Sequence, residues 1–156
     1  MKNETASTTA FLEFILEIED GWPPVAVECL PFLLAPGGYT AVTAPLFVKD
    51  LSVGDIIRAR LEPTGNRVVS WEHISRSQHS TLWLLRVGPS LTLAPVLDDL
   101  RRLGCSTESS DALGVYAVDI PASVQLNSVD DVLARLESNA VAVAFPSLRH
   151  EACESC

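Results

Sequence analysis

The sequence predicts an α+β fold, a small N-terminal curved β-sheet or barrel followed by a ferredoxin-like βαββαβ plait. Three observations predict it. Apolar and polar residues alternate at a two-residue period through much of the first half, which is the mark of strands with one wet face. No helical period occurs before about residue 90. From about Thr81 to Phe145 six segments then read strand, helix, strand, strand, helix, strand, with short links.

Residues 1–9 read as a flexible leader, 10–77 as the β-sheet or barrel half, 78–147 as the ferredoxin-like half, and 148–156 as a cysteine-containing tail. From Leu12 the chain places Leu12, Phe14, Leu16 and Ile18 on one face and Glu13, Glu17 and Glu19 on the other. "DGWPP" turns it into a second strand, "VAVECLPFLL", where Pro31 predicts an edge or a bulge. "APGGYTAV" reads as a hairpin turn entering a third strand. "DIIRARLE" and "RVVSWEHIS" are the fourth and fifth strands, joined by the turn "PTGN".

The second half opens with the strand "TLWLLRV". In "TLAPVLDDLRRLG", Leu93, Val96, Leu97, Leu100 and Leu103 have helical spacing, with Thr92 as the expected cap, Arg101 and Arg102 near the end and Gly104 as the stop. Residues 105–121 read as two strands around a turn at Asp111–Gly114. "NSVDDVLARLESN" is the second helix, with Ser128 and Asp131 as a Ser-x-x-Asp start, and "AVAVAF" is the last strand.

Composition narrows the function. Eleven basic against 20 acidic residues leave a net charge of −9, which repels phosphate backbones and anionic membranes. Neither nucleic acid nor membrane is an expected partner. A basic protein or a small ligand is, and an oligomer is compatible with the sequence. The polar start and the apolar run "FLEFILEIED", broken by three glutamates, are neither a signal-peptide core nor a membrane span, so a cytoplasmic protein with reduced cysteines is expected. No phosphate loop, Gly-x-Ser-x-Gly or His-Glu-x-x-His pattern occurs, and no cofactor is expected.

Three stretches hold candidate sites. His150, Cys153 and Cys156 have metal-ligand spacing, but zinc usually takes a fourth ligand that this tail does not supply, and the plainer reading is exposed thiols. "RSQHST" gathers Arg76, His79, Ser80 and Thr81 between two strands; a histidine beside hydroxyls suggests a general base, and the plainer reading is a histidine tying a loop. "EDGWPPVAVE" sets Trp22 and Glu28 at a rigid corner, as a binding platform or a plug. Asp55 is a fourth point, or a turn residue bonding its own backbone.

The ordered stretches "WPPVAVE", "LSVGDIIRA", "SQHST" and "LRRLGC" resemble a family of small bacterial proteins grouped as a domain of unknown function, over about residues 11–145. The resemblance rests on Trp22, Pro23, Pro24, Val25 and Glu28, on Val53, Gly54 and Asp55, and on His79, Ser80 and Thr81, with Gln78 where that pattern has glycine. It implies a bacterial cytosolic protein and supplies no activity. It also suggests that Glu28, Asp55 and His79 converge on one cleft.

The expected function is therefore a small acidic binding or regulatory protein without catalytic activity, a partner of a basic protein as an immunity protein or antitoxin is. Trp22, Glu28, Asp55, Arg76 and His79 are its expected binding residues. The alternatives are an enzyme using His79 with Ser80, Thr81, Asp55 or Glu28, and a small-molecule sensor built on the second half.

Overall fold

A computed structural model describes residues 8–150. Strands β1 (Thr9–Ile15), β2 (Val27–Ala35), β3 (Gly38–Ala41), β4 (Ile56–Leu61) and β5 (Val68–Ser75) form a five-stranded antiparallel sheet in chain order. Strands β6 (Ser80–Arg86), β7 (Ser106–Ser110), β8 (Val115–Ile120) and β9 (Val141–Ser147) form a second antiparallel sheet in the order β7-β8-β6-β9. Helices α1 (Leu93–Leu103) and α2 (Leu126–Leu133) lie between β6 and β7 and between β8 and β9 in the chain.

The fold class is corrected by this arrangement. Strands take 43% of the structure and helix 13%, so the chain is mostly β rather than α+β, and no barrel closes. The first sheet stays open because β1 meets only Arg67, the residue before β5, at one isolated bridge from Glu13, and no ladder joins β1 to β5 among the described residues. In place of the expected ferredoxin-like plait stands a four-stranded sheet with two short helices, one of 11 residues and one of 8. The second helix falls short because Arg135 and Leu136 bond to Val132 and Leu133, three residues back, in a closing turn.

Neither expected cap forms as the sequence suggests. Thr92 makes no side-chain cap bond; Ser90 Oγ instead accepts from the N–H of Leu93, and Glu137 accepts from the hydroxyls of Ser90 and Thr92. Ser128 lies inside α2, whose cap position is Gln125. Gly104 does end α1, at φ 113°, a left-handed conformation that costs glycine little.

Each sheet has its own core. Leu12, Phe14, Leu30, Phe32 and Ile57 point into the first. Leu82 and Leu84 of β6, Val118 and Ile120 of β8, and Val96, Leu100 and Val129 of the helices form the second. Pro31 sits in β2 where β1 alone pairs, since the β3 ladder starts at Phe32, and its missing N–H leaves no partner wanting. Among the described residues no helix is long and apolar enough to cross a membrane.

Candidate functional site

The two sheets are joined around Asp55, whose side chain is 0% exposed. Its carboxylate accepts five hydrogen bonds: from the backbone N–H of Ser52 (3.0 Å) and Ser77 (2.8 Å), from His73 Nε2 (2.9 Å), and from both terminal nitrogens of Arg149 (2.9 Å each). Burial opposes its charge, but Arg149, the two amides and His73 outweigh that and hold its pKa down to about 2. Gly54, at φ 89°, makes the approach: a Cβ there would lie 3.0 Å from Ser77 Cβ.

Arg149 and His150 were expected in a loose tail, yet both are bound. Arg149 is 12% exposed and also donates to the Ser77 carbonyl. His150 Nε2 donates to the Pro121 carbonyl, so its Nδ1 accepts the Ser80 proton at 2.6 Å. Ser80 Oγ accepts in turn from the N–H groups of Arg149 and His150. Ser80 and Thr81 are wholly buried, and Thr81 Oγ1 meets Ser52 Oγ at 2.8 Å; neither hydroxyl is presented to a substrate. Every buried side-chain nitrogen and oxygen among the described residues has a partner.

His79 stands beside this network. Its N–H bonds Ser77 Oγ, and its Nδ1 donates to Asp119 at 2.7 Å. Asp119 is buried, which raises its pKa against the pull of His79. The His79 side chain is 28% exposed. Cys105, the free thiol near Asp119, is pushed up to about 11, first by burial and then by that carboxylate, so it is not a thiolate at neutral pH.

The remaining predicted residues go elsewhere. Asp55 and His79 meet through Ser77, but Glu28 holds a different loop: its carboxylate accepts from the N–H of Leu46 (2.6 Å), Phe47 and Val48 (2.9 Å each). Arg76 pairs with Asp50 at 3.1 Å on the surface. No cluster among the described residues could hold a metal ion, and Cys153 and Cys156 lie outside those residues.

Trp22 lines a groove of about 480 Å³. All three tryptophans of the chain, Trp22, Trp71 and Trp83, contribute to it, with Phe14 and Phe47. Glu17, Glu19 and Asp20 line it too, against one base, Lys49. A tight turn sets this rim. Asp20 and Gly21 have φ of 56° and 79°, and Glu19 and Trp22 exchange both backbone hydrogen bonds (2.9 and 3.0 Å). Trp22 meets Phe47 edge-on at 5.9 Å, and Phe47 is fixed by the Glu28 carboxylate; Trp83 is fixed by donating to the Pro45 carbonyl.

Sequence reasoning singled out neither Arg149, His73 and Asp119 at the junction nor Trp71 and Trp83 in the groove. Two local signals existed: an acid, Asp119, inside the apolar run "GVYAVDI", and the alternating Trp71 and His73 in "SWEHIS". Arg149 pairs with a residue 94 positions away and gave none.

The family model described as "Domain of unknown function (DUF4265)" matches residues 30–144, and the chain belongs to that family. No curated protein matches it. A solved structure titled as a novel crystal structure of a hypothetical protein from Neisseria gonorrhoeae is similar in fold, with a TM-score of 0.66 at 16% identity, covering 89% of this chain and 96% of that one.

Proposed function

We propose that this member of the DUF4265 family is a non-catalytic binding protein of the cytoplasm whose tryptophan groove takes a basic segment of a protein partner, as an antitoxin or immunity protein engages its target. The convergence of three tryptophans and three carboxylates in one groove carries this reading. Aromatic faces attract Arg and Lys side chains by about 0.5–2 kcal/mol per contact, more as water is excluded. The rim carboxylates add attraction and faster encounter with a basic partner, and the net charge of −9 points the same way. Free thiols at Cys29 and Cys105 are compatible with a reducing compartment.

The test is titration with a decapeptide of alternating Arg and Leu, followed by tryptophan fluorescence and calorimetry, with a Glu–Leu peptide as control. Saturable binding of the basic peptide alone is expected, weakened at least tenfold by Trp22→Ala or by Glu19→Lys with Asp20→Lys. Binding of neither peptide, or binding indifferent to both variants, overturns the proposal.

The His79–Asp119 pair favours a second reading. A buried carboxylate orients the imidazole and leaves Nε2 without a partner among the described residues, as a general base requires. Against it, the nearby hydroxyls of Ser80 and Thr81 are buried and engaged.

A further inference from the structure

The groove continues into a second cavity of about 350 Å³, and Phe14, Ile15 and Trp71 line both. The two cavities therefore follow one line, the open seam between β1 and β5. At Glu13 the seam is shut: its N–H donates to the Asn66 carbonyl at 3.0 Å, and Asn66 Nδ2 donates to the Phe11 carbonyl. Past Glu13, no ladder joins β1 to β5 among the described residues.

The register of β1 decides which of its backbone groups face this seam. Leu34 N–H bonds the Thr8 carbonyl and Leu16 N–H bonds the Ala26 carbonyl, so even-numbered residues of β1 turn their peptide groups toward β2. Odd-numbered residues turn theirs the other way, as an antiparallel ladder requires. Ile15 thus aims its N–H and C=O into the seam, and its residue is 59% exposed. An edge of this kind is a template for another strand.

We propose that the basic segment binds by strand addition, lying extended in the seam with its backbone paired to β1 at Ile15. This rests on the reading of the groove given above and adds the mode of binding. An added strand alternates its side chains at a period of two. One set then points down onto Phe14 and Trp71, and the other stays at the rim. Carboxylates line both cavities, Glu62 in one and Glu17, Glu19 and Asp20 in the other, and among the described residues the one base in either lining is Lys49, beside the latter three. The occupant that fits is an extended segment alternating Arg or Lys with apolar residues. Strand addition draws affinity from main-chain bonds and specificity from alternate side chains.

The same Arg–Leu decapeptide tests it, together with two versions N-methylated at alternate amides, one at every Arg and one at every Leu. The two block opposite edges of an extended strand. One version is expected to lose at least tenfold in affinity while the other keeps within threefold of the parent, and the Ile15 amide is expected to exchange with solvent at least tenfold more slowly in the parent complex. If both versions bind like the parent, or Ile15 gains no protection, strand addition is overturned while the groove reading stands. If both versions fail, Ile15 protection in the parent complex decides. No binding by the parent overturns both proposals, and a peptide-free protein that sediments as a dimer through this seam identifies a second copy as the occupant instead.

Discussion

Replacing Asp55 by Asn tests the junction most directly. The substitution keeps the shape, removes the charge, and puts an NH₂ where one oxygen accepts hydrogen bonds. Arg149 is then left 12% exposed without its bidentate partner. Breaking a buried ion pair on one side costs roughly 3–5 kcal/mol, because the remaining charge is desolvated and uncompensated. For a chain of this size each 1 kcal/mol lowers Tm by about 2–4 °C, so a fall of roughly 6–20 °C is expected. The pH dependence adds a signature. The folded-state pKa is depressed from 3.8 to about 2. The ionised carboxylate therefore stabilises the fold above pH 4, and that contribution is lost as pH falls through about 2. At about 1.4 kcal/mol per unit this is worth roughly 2 kcal/mol. Urea unfolding of the protein and of Asp55→Asn at pH 6 and pH 2 should show the gap between them narrowing by about that amount at the lower pH. A gap under about 1 kcal/mol at pH 6, or one that does not narrow, would refute the claim that Asp55 joins the sheets.

Truncation after Ser147 removes Arg149 and His150 and should cost as much as Asp55→Asn or more, which its melting curve checks. His79→Ala strips buried Asp119 of its partner and should cost about 1–3 kcal/mol in urea unfolding, with affinity for the Arg–Leu peptide unchanged within error. An unaltered stability in that variant would remove the structural role given to His79.

The sequence disclosed what is written in short-range periodicity. The β1 alternation of Leu12 and Phe14 against Glu13, and the α1 set Val96, Leu97 and Leu100, are buried as their spacing implies. Class was misjudged for a local reason. "ARLESN" has helical composition, yet the chain leaves the helix at Leu133, and Glu137 is drawn off to Ser90 and Thr92. The anchoring of Arg149 and His150 escaped notice for a different one. After "AVAVAF" no apolar period continues, so nothing local marks Arg149 as a buried residue. Its burial follows from the Asp55 carboxylate, and no pattern in sequence spacing encodes a pair that only the packed sheets bring together.

Strand β6 gives the junction and the groove a common support. Its first residues, Ser80 and Thr81, are locked by His150, the Arg149 amide and Ser52, while Trp83, two residues further on the same face as Thr81, lines the groove. The loop between them is tied at both ends: Asp50 N–H to the Pro146 carbonyl and Ser52 to Thr81 near the junction, Pro45 to Trp83 and residues 46–48 to Glu28 near the groove. Phe47, the ring against which Trp22 rests, sits on that loop. A loop and strand cross-tied by this many polar bonds make a rigid floor, and a rigid floor lowers the entropy lost when a ligand is ordered on it. The polar residues that attracted notice as chemistry, Glu28, Asp55 and Ser80, thus act on the proposed binding surface at one remove, by fixing the strand and loop that present its aromatic side chains.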